Sequence, residues 1–226
     1  MSPNNYTELN FEEHIETELL NSGYIKVDKK FYDKSLCLIP SQLIEFIQET
    51  QPKRYKKLTE QHGDNINTKL TKRISDQIES KGVIEVLRKG VKDRGSHFDL
   101  VYFQPKSGLN PEHQDLYKKN RFIEVRQVYY SNRNENSIDM GIFINGIPIM
   151  MLELKNSLTG QNHTHGIKQW KFDRDPKESL FKFKRNMVYF SVGNEKVSMT
   201  TRLSGSKTRF LPFNKGIDNP VNPKGH

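Results

Sequence analysis

An Asn-Gly pair between two apolar, β-branched runs constrains the fold of this chain more than any other feature. The runs are 138–144 and 147–155, and Asn145-Gly146 separates them. Such a pair favours a two-residue turn, because Asn and Gly accept positive φ values at a lower cost than other residues. The sequence therefore predicts a β-hairpin over residues 138–155.

Charged side chains interrupt both predicted strands. Asp139 lies in the first strand and Glu153 and Lys155 lie in the second, where an unpaired charge would be costly to bury. Glu153 and Lys155 are two residues apart and so share one face. A regular two-residue turn would place Asp139 opposite Leu152, whereas one extra residue would place it opposite Glu153. If Asp139, Glu153 and Lys155 form one site, the hairpin must contain a bulge. We assign this bulge to Gly146, because glycine in the left-handed conformation is the usual source of a bulge at a turn.

Two carboxylates and a lysine on one face suit a magnesium-dependent nuclease. Mg²⁺ takes oxygen ligands, commonly one or two carboxylates with several waters retained. Asp139 and Glu153 would supply the carboxylates, the backbone carbonyl of Leu154 would be a third ligand, and Lys155 would position the attacking water and offset phosphate charge. A solvated Glu-x-Lys pair on an exposed strand is the alternative interpretation of the same residues.

The segments around the hairpin resemble a known family. The run 137–161 resembles the nuclease core of the restriction (R) subunit of type I restriction-modification enzymes, in which the Asp and the Glu-x-Lys form a PD-(D/E)xK active site. Further segments resemble the same family in order along the chain, namely 81–105, 120–131, 168–192 and 208–216. The resemblance implies an α/β fold with a PD-(D/E)xK restriction-endonuclease-like core, a mixed central sheet flanked by helices.

The resemblance also implies site residues. Asp139, Glu153 and Lys155 match the metal carboxylates and the lysine of the family. Gln169 matches the first position of a Gln-x-x-x-Tyr motif on the following helix, whereas Asp173 stands where the family has Tyr, so the role of that position stays open.

A glutamate on the first core helix is a further implied site residue. The segment 11–24 has apolar residues at helical spacing, and Glu12 is the matching glutamate, with Glu16 as the alternative. A merely solvated, acidic helix face is the competing interpretation.

Positive charge is concentrated after the predicted hairpin. The net charge is +9, and residues 160–226 hold 13 of the 36 Lys and Arg residues but 5 of the 27 acidic ones. Such an excess is typical of proteins that contact a phosphate backbone. We predict contacts with double-stranded DNA, without base-specific readout, by Lys168, Lys171, Arg174, Lys184 and Arg185.

The length and composition predict one domain, and the resemblance implies that it is a nuclease domain over residues 1–212. A helical insertion over 41–94 is polar enough to predict a peripheral layer, and residues 213–226 are predicted to be a linker toward a helicase/translocase domain that the resemblance implies. We further predict helices at 11–23, 41–51, 65–81 and 166–173, and strands at 98–103, 121–130 and 186–192.

The resemblance implies a function and its partners. The chain would be a Mg²⁺-dependent endonuclease domain acting on double-stranded DNA, with ATP bound only by other domains and with methyltransferase and specificity subunits as partners. No membrane-length apolar run or signal peptide is evident, which predicts a cytoplasmic protein without membrane contact. Two alternatives stay open: a stand-alone PD-(D/E)xK repair or junction nuclease, and a non-catalytic DNA-binding or assembly module.

Overall fold

The predicted hairpin forms the centre of a seven-stranded mixed sheet in a computed structural model that describes residues 8–106, 110–157 and 160–213. In chain order the strands are β1 (Ile25–Lys26), β2 (Val91–Asp93), β3 (Ser96–Phe98), β4 (Phe122–Tyr129), β5 (Ser137–Ile144), β6 (Ile147–Lys155), β7 (Val188–Gly193), β8 (Val197–Thr200) and β9 (Leu211–Pro212). The sheet has the order β1-β4-β5-β6-β7-β8-β9, and β2 pairs with β3 separately. The pairs β1-β4 and β6-β7 are parallel and the others are antiparallel.

Helices cover both faces of this sheet. They are α1 (Glu8–Asn21), α2 (Pro40–Thr50), α3 (Pro52–His62), α4 (Ile66–Lys81), α5 (Val83–Lys89), α6 (Pro111–Lys118) and α7 (His163–Phe172). The predicted fold class, a mixed central sheet flanked by helices, is therefore confirmed.

The helical segment after β1 forms a large part of the protein core. Along α4, Ile66, Leu70, Ile74 and Ile78 recur every four residues and are buried, as one face of an amphipathic helix would be. They belong to the same cluster as side chains of α2, α3, α5 and the hairpin. The prediction of a peripheral polar layer was wrong, because the polar residues mark only the outer face of these helices.

A second core lies on the other face of the sheet. It joins α7 and a 3₁₀ turn at Ser179–Phe181 to the inner strands. Trp170 and Phe181 meet edge-to-face at 5.7 Å, and Trp170 meets Tyr189 at 5.2 Å. Because both faces of β5 and β6 are covered, the charged residues within these strands lie inside the protein.

The structure changes three predicted boundaries. The predicted strand at 98–103 ends at Phe98. The side-chain amide of Gln51 accepts the N–H of Asp99 and donates to its carbonyl, and so takes the place of a neighbouring strand. The helix predicted from Ser41 begins at Pro40 without a side-chain cap. Phe213 donates its N–H to Val197 and so is ordered against β8, while 214–226 of the predicted linker lie outside the described residues.

Candidate active site

A bulge in β6 sets the register of the hairpin. The turn is a regular two-residue turn that pairs Ile144 with Ile147, and both of its residues have positive φ. Further along β6, Ile149 has no pairing partner, and beyond it Met140 pairs with Leu152. The predicted bulge is present, but its assignment to Gly146 was wrong because the Asn-Gly turn itself is regular.

The shifted register brings the charged residues together. Continued by one residue, it places Asp139 opposite Glu153. Asp139 Oδ2 accepts the backbone N–H of Leu154 at 2.7 Å and lies 3.6 Å from Lys155 Nζ. The Asp139 and Lys155 side chains are only 16% and 7% exposed, so this is not the solvated strand pair of the alternative interpretation.

Glu153 is buried, and its two carboxylate oxygens have different surroundings. Oε1 accepts hydrogen bonds from Arg174 Nε at 2.8 Å and Nη2 at 2.5 Å. Oε2 has no hydrogen-bond partner among the described residues. Burial and then the charge of Asp139 raise the pKa of Glu153 to about 8, against the opposing effect of Arg174 and Lys155. A buried oxygen without a donor is a position where a cation would be stabilised.

Helix α1 brings a third carboxylate to this region. Glu12 is buried and accepts hydrogen bonds from Arg126 Nη2 at 3.0 Å and Gln127 Nε2 at 3.2 Å. Burial raises the pKa of Glu12, and the charge of Asp139 adds to the effect, so the two carboxylates are electrostatically coupled. The acidic face of α1 is therefore not uniformly solvated: Glu12 faces inward, and Glu13 faces solvent.

Gln127 adopts an unusual backbone conformation beside the site. The two residues that flank Gln127 on β4 pair with the two residues that flank Asp139 on β5. Gln127 and Asp139 therefore face each other. Its φ is +53°, a region that non-glycine residues rarely occupy and that is enriched at functional sites. Its amide donates to Glu12 and accepts from Ser137 Oγ at 2.8 Å. No sequence pattern pointed to Gln127 or to Arg126.

Helix α7 forms one wall of an open cleft next to Lys155. Gly166 allows this close packing, because a Cβ atom there would lie 2.3 Å from Ser191 Oγ on β7. Gln169 and Asp173, the two positions of the family motif, both line the cleft. The cleft has a volume of about 550 Å³ and is lined by Lys155, Gln161, His165, Lys168, Gln169 and Asp173.

The five predicted DNA-contacting residues fall into three groups. Lys168 and Lys171 lie on α7, and Lys168 lines the cleft. The predicted DNA contacts of Arg174 and Arg185 were wrong, because both side chains are buried and paired. Arg174 binds Glu153, whereas Arg185 donates hydrogen bonds to the carbonyl of Leu36 and to the carbonyl and hydroxyl of Ser75. Lys184 precedes β7, which runs parallel to β6, so it lies near the end of the sheet opposite Lys155.

Two further buried acids, Glu16 of α1 and Glu124 of β4, form a pair. Glu16 forms ion pairs with Lys26 at 2.7 Å and Arg126 at 3.6 Å. Burial opposes ionisation of Glu16, but the contact with Lys26 leaves its pKa lowered. Burial, and then contact with Glu16, raise the pKa of the fully buried Glu124 to about 7.

We expect this pair to make stability pH-dependent. Because its pKa is raised on folding, Glu124 loses its proton more readily in the unfolded chain, so its contribution to stability falls as the pH rises from about 4.5 to about 7. In Glu124→Gln, the free energy of unfolding should decline less between pH 5 and pH 7.5 than in the unaltered chain, as measured by urea denaturation. The exposed Glu18→Gln is the control, and an equal decline in Glu124→Gln would contradict the expectation.

The part of the chain that the structure describes contains neither a cluster of three metal-ligating side chains nor a membrane-spanning helix. Across 8–106, 110–157 and 160–213, no three His, Cys, Asp or Glu side chains are grouped so that they could hold a metal ion. Within the same ranges, none of the helices combines the length and apolarity needed to cross a membrane.

The mixed sheet flanked by helices is consistent with a nuclease-like α/β core, and an aspartate, a glutamate and a lysine lie together at the end of its central hairpin. The family model of the type I restriction enzyme R protein N terminus matches residues 5–208. The chain belongs to this family, which confirms the resemblance seen in its sequence motifs. No curated protein matches it.

Proposed function

We propose that this chain is the DNA-cleaving domain of a type I restriction enzyme R subunit, and that it hydrolyses phosphodiester bonds of double-stranded DNA with Mg²⁺. One observation carries the proposal: the β6 bulge places Asp139 opposite Glu153, with Lys155 Nζ 3.6 Å from Asp139 in a largely buried setting. The membership of the chain in the R protein family supports the restriction role.

The residues present fit a magnesium ion. Mg²⁺ needs few protein ligands, since one or two carboxylates with several waters suffice. Glu153 Oε2 is buried and has no donor among the described residues, and Asp139 lies opposite Glu153 in the hairpin. The N–H of Leu154 points to Asp139, and the carbonyl of a residue in an extended strand points to the same side as its N–H, so Leu154 could supply the third ligand. When bound, Mg²⁺ would offset charge on the phosphate and activate water.

The side chains of the chain would divide the remaining tasks. Lys155 is held beside Asp139 and lines the open cleft, so its ammonium can orient the attacking water and offset phosphate charge. Gln169 lines the same cleft and offers both a donor and an acceptor to a DNA strand or to water. Glu12 would act through Gln127, whose amide it holds opposite Asp139.

The cleft beside α7 is where the DNA backbone would approach. Lys168 and Lys171 lie on this helix, and Lys168 lines the cleft. Their charges would attract phosphate without reading bases. Sequence recognition would belong to a specificity subunit, and the ATP-driven motor to another domain of the R subunit, so we expect the isolated chain to bind DNA weakly and to cut it poorly.

Divalent-metal binding tests the proposal most directly. Using Mn²⁺ as the reporter in calorimetry, we expect the unaltered chain to bind and Asp139→Ala to show no detectable binding, because the variant loses one of two carboxylates. Asp115→Ala removes an exposed acid of α6 and is the matched control, expected to bind as the unaltered chain does. If Asp139→Ala bound Mn²⁺ normally, the hairpin carboxylates would be structural and an assembly module would be the better description.

A further inference from the structure

Arg174 is a buried cation that donates hydrogen bonds to the Glu153 carboxylate and to two groups next to it. It follows α7, is 7% exposed, and contacts Glu153 through two of its nitrogens. Its Nη1 donates to the Tyr130 hydroxyl at 3.1 Å, and its Nη2 also donates to the Ser137 carbonyl at 3.1 Å. A planar guanidinium that makes four hydrogen bonds in fixed directions has little freedom to move.

These bonds tie Glu153 to three separate elements. Tyr130 directly follows β4, Ser137 begins β5, and Arg174 lies two residues after the end of α7. The Tyr130 ring is itself fixed, since it lies 5.2 Å from the guanidinium carbon of Arg174 and 4.6 Å from the ring of Phe181. The orientation of Arg174 is therefore set by the packing of the whole region.

The contact with Glu153 is one-sided. Arg174 bonds Oε1 twice and leaves Oε2 without a partner among the described residues, whereas a common Arg-carboxylate pair engages both oxygens. A neutralising partner alone would not require this asymmetry. It leaves one oxygen fixed in place and the other available to a ligand.

We propose that Arg174 is a positioning residue, which holds Oε1 of Glu153 so that only Oε2 is offered to a divalent metal ion. The inference rests on the proposed function. A carboxylate restricted to one oxygen suits the octahedral geometry of Mg²⁺ or Mn²⁺, whereas Ca²⁺ accepts more ligands and often binds both oxygens of a carboxylate. Arg174 would thus affect both the affinity of the site and its choice of metal.

The test compares Mn²⁺ and Ca²⁺ binding by the 226-residue chain and by Arg174→Lys. Lysine keeps the charge but cannot reach Glu153, Tyr130 and Ser137 together. Loss of a residue that orients a metal ligand commonly costs about ten- to a hundredfold in affinity, so we expect a fall of that size for Mn²⁺. We expect a smaller fall for Ca²⁺, because the released Oε1 can then join Oε2 as a ligand.

Two further variants separate positioning from general stability. Arg121→Lys alters a half-buried arginine that pairs with Glu45 and Glu49 near the turn end of the hairpin, so it should change the free energy of unfolding but not metal binding. Tyr130→Phe removes only the hydroxyl that Arg174 bonds, and should weaken Mn²⁺ binding less than Arg174→Lys does. It tests the inference even if Arg174→Lys does not fold.

The outcomes distinguish the inference from the proposed function. Normal Mn²⁺ affinity in Arg174→Lys, or in Tyr130→Phe if the lysine variant does not fold, would overturn the role of Arg174 alone. An equal fall for Mn²⁺ and Ca²⁺ would also overturn it, because a purely structural loss would not discriminate between metals. Absence of Mn²⁺ binding by the unaltered chain would overturn the proposed function, and this inference with it.

Discussion

Replacing Lys155 with alanine is expected to abolish DNA cleavage by the assembled restriction complex while ATP hydrolysis continues. The Lys155 ammonium is the cation that lies beside Asp139 and also lines the cleft. Removal of one group that stabilises charge in a transition state commonly lowers the rate by about 10²–10³, because such groups act in a site from which water is largely excluded. Under the proposed function the motor chemistry belongs to another domain, so ATP hydrolysis should not depend on Lys155.

Plasmid cleavage and ATP hydrolysis, measured on the same reconstituted complex, would check this expectation. Lys118→Ala is the matched control, because Lys118 is an exposed lysine of α6 paired with Asp115. Cleavage at the normal rate by Lys155→Ala would contradict the assignment of the site. Rapid ATP-independent cutting by the isolated chain would instead favour a stand-alone repair or junction nuclease.

Replacing Trp170 with alanine is expected to destabilise the protein by about 3–5 kcal/mol, the usual cost of removing a large aromatic side chain from a core. Trp170 is fully buried, packs against Phe181 and Tyr189, and donates its indole N–H to the Phe190 carbonyl at 2.9 Å. It attaches α7 to the sheet, so its loss should also displace Gln169 from the cleft.

Urea unfolding followed by circular dichroism would measure the effect. Phe172→Ala is the matched control on the same helix, because Phe172 is 69% exposed and its loss should change stability little. Trp170→Phe should give an intermediate loss, since it retains much of the ring packing but leaves the Phe190 carbonyl without its donor. Equal stability of Trp170→Ala and Phe172→Ala would contradict the packing role of Trp170.

Local features of the sequence were sufficient to predict much of the fold. The prediction of a turn at Asn145-Gly146 was correct, because the φ preferences of these two residues decide the turn. The helix predicted at 65–81 is observed as Ile66–Lys81, and that predicted at 166–173 as His163–Phe172, because the period of their apolar residues is itself local. The presence of a bulge was also predicted from the sequence, because Asp139 and Glu153 lie opposite each other only if one strand holds an extra residue.

Contacts between distant segments needed the tertiary structure. The bulge lies at Ile149, because the Asn-Gly turn stays regular and the register shifts only within β6. Charge counting predicted that Arg174 and Arg185 contact DNA, whereas the folded chain uses both inside the protein. Composition alone could not separate these buried arginines from the lysines that remain on α7.

The sequence by itself therefore determined the hairpin, the identity of its charged residues and the family. Only the tertiary structure decided which oxygen of Glu153 has no partner within the described part of the chain, and that Gln127 faces Asp139. The physical reason is range: turn preferences and apolar periods act over a few residues. The Glu12–Arg126 contact, by contrast, joins positions 114 residues apart and forms only when the whole core packs.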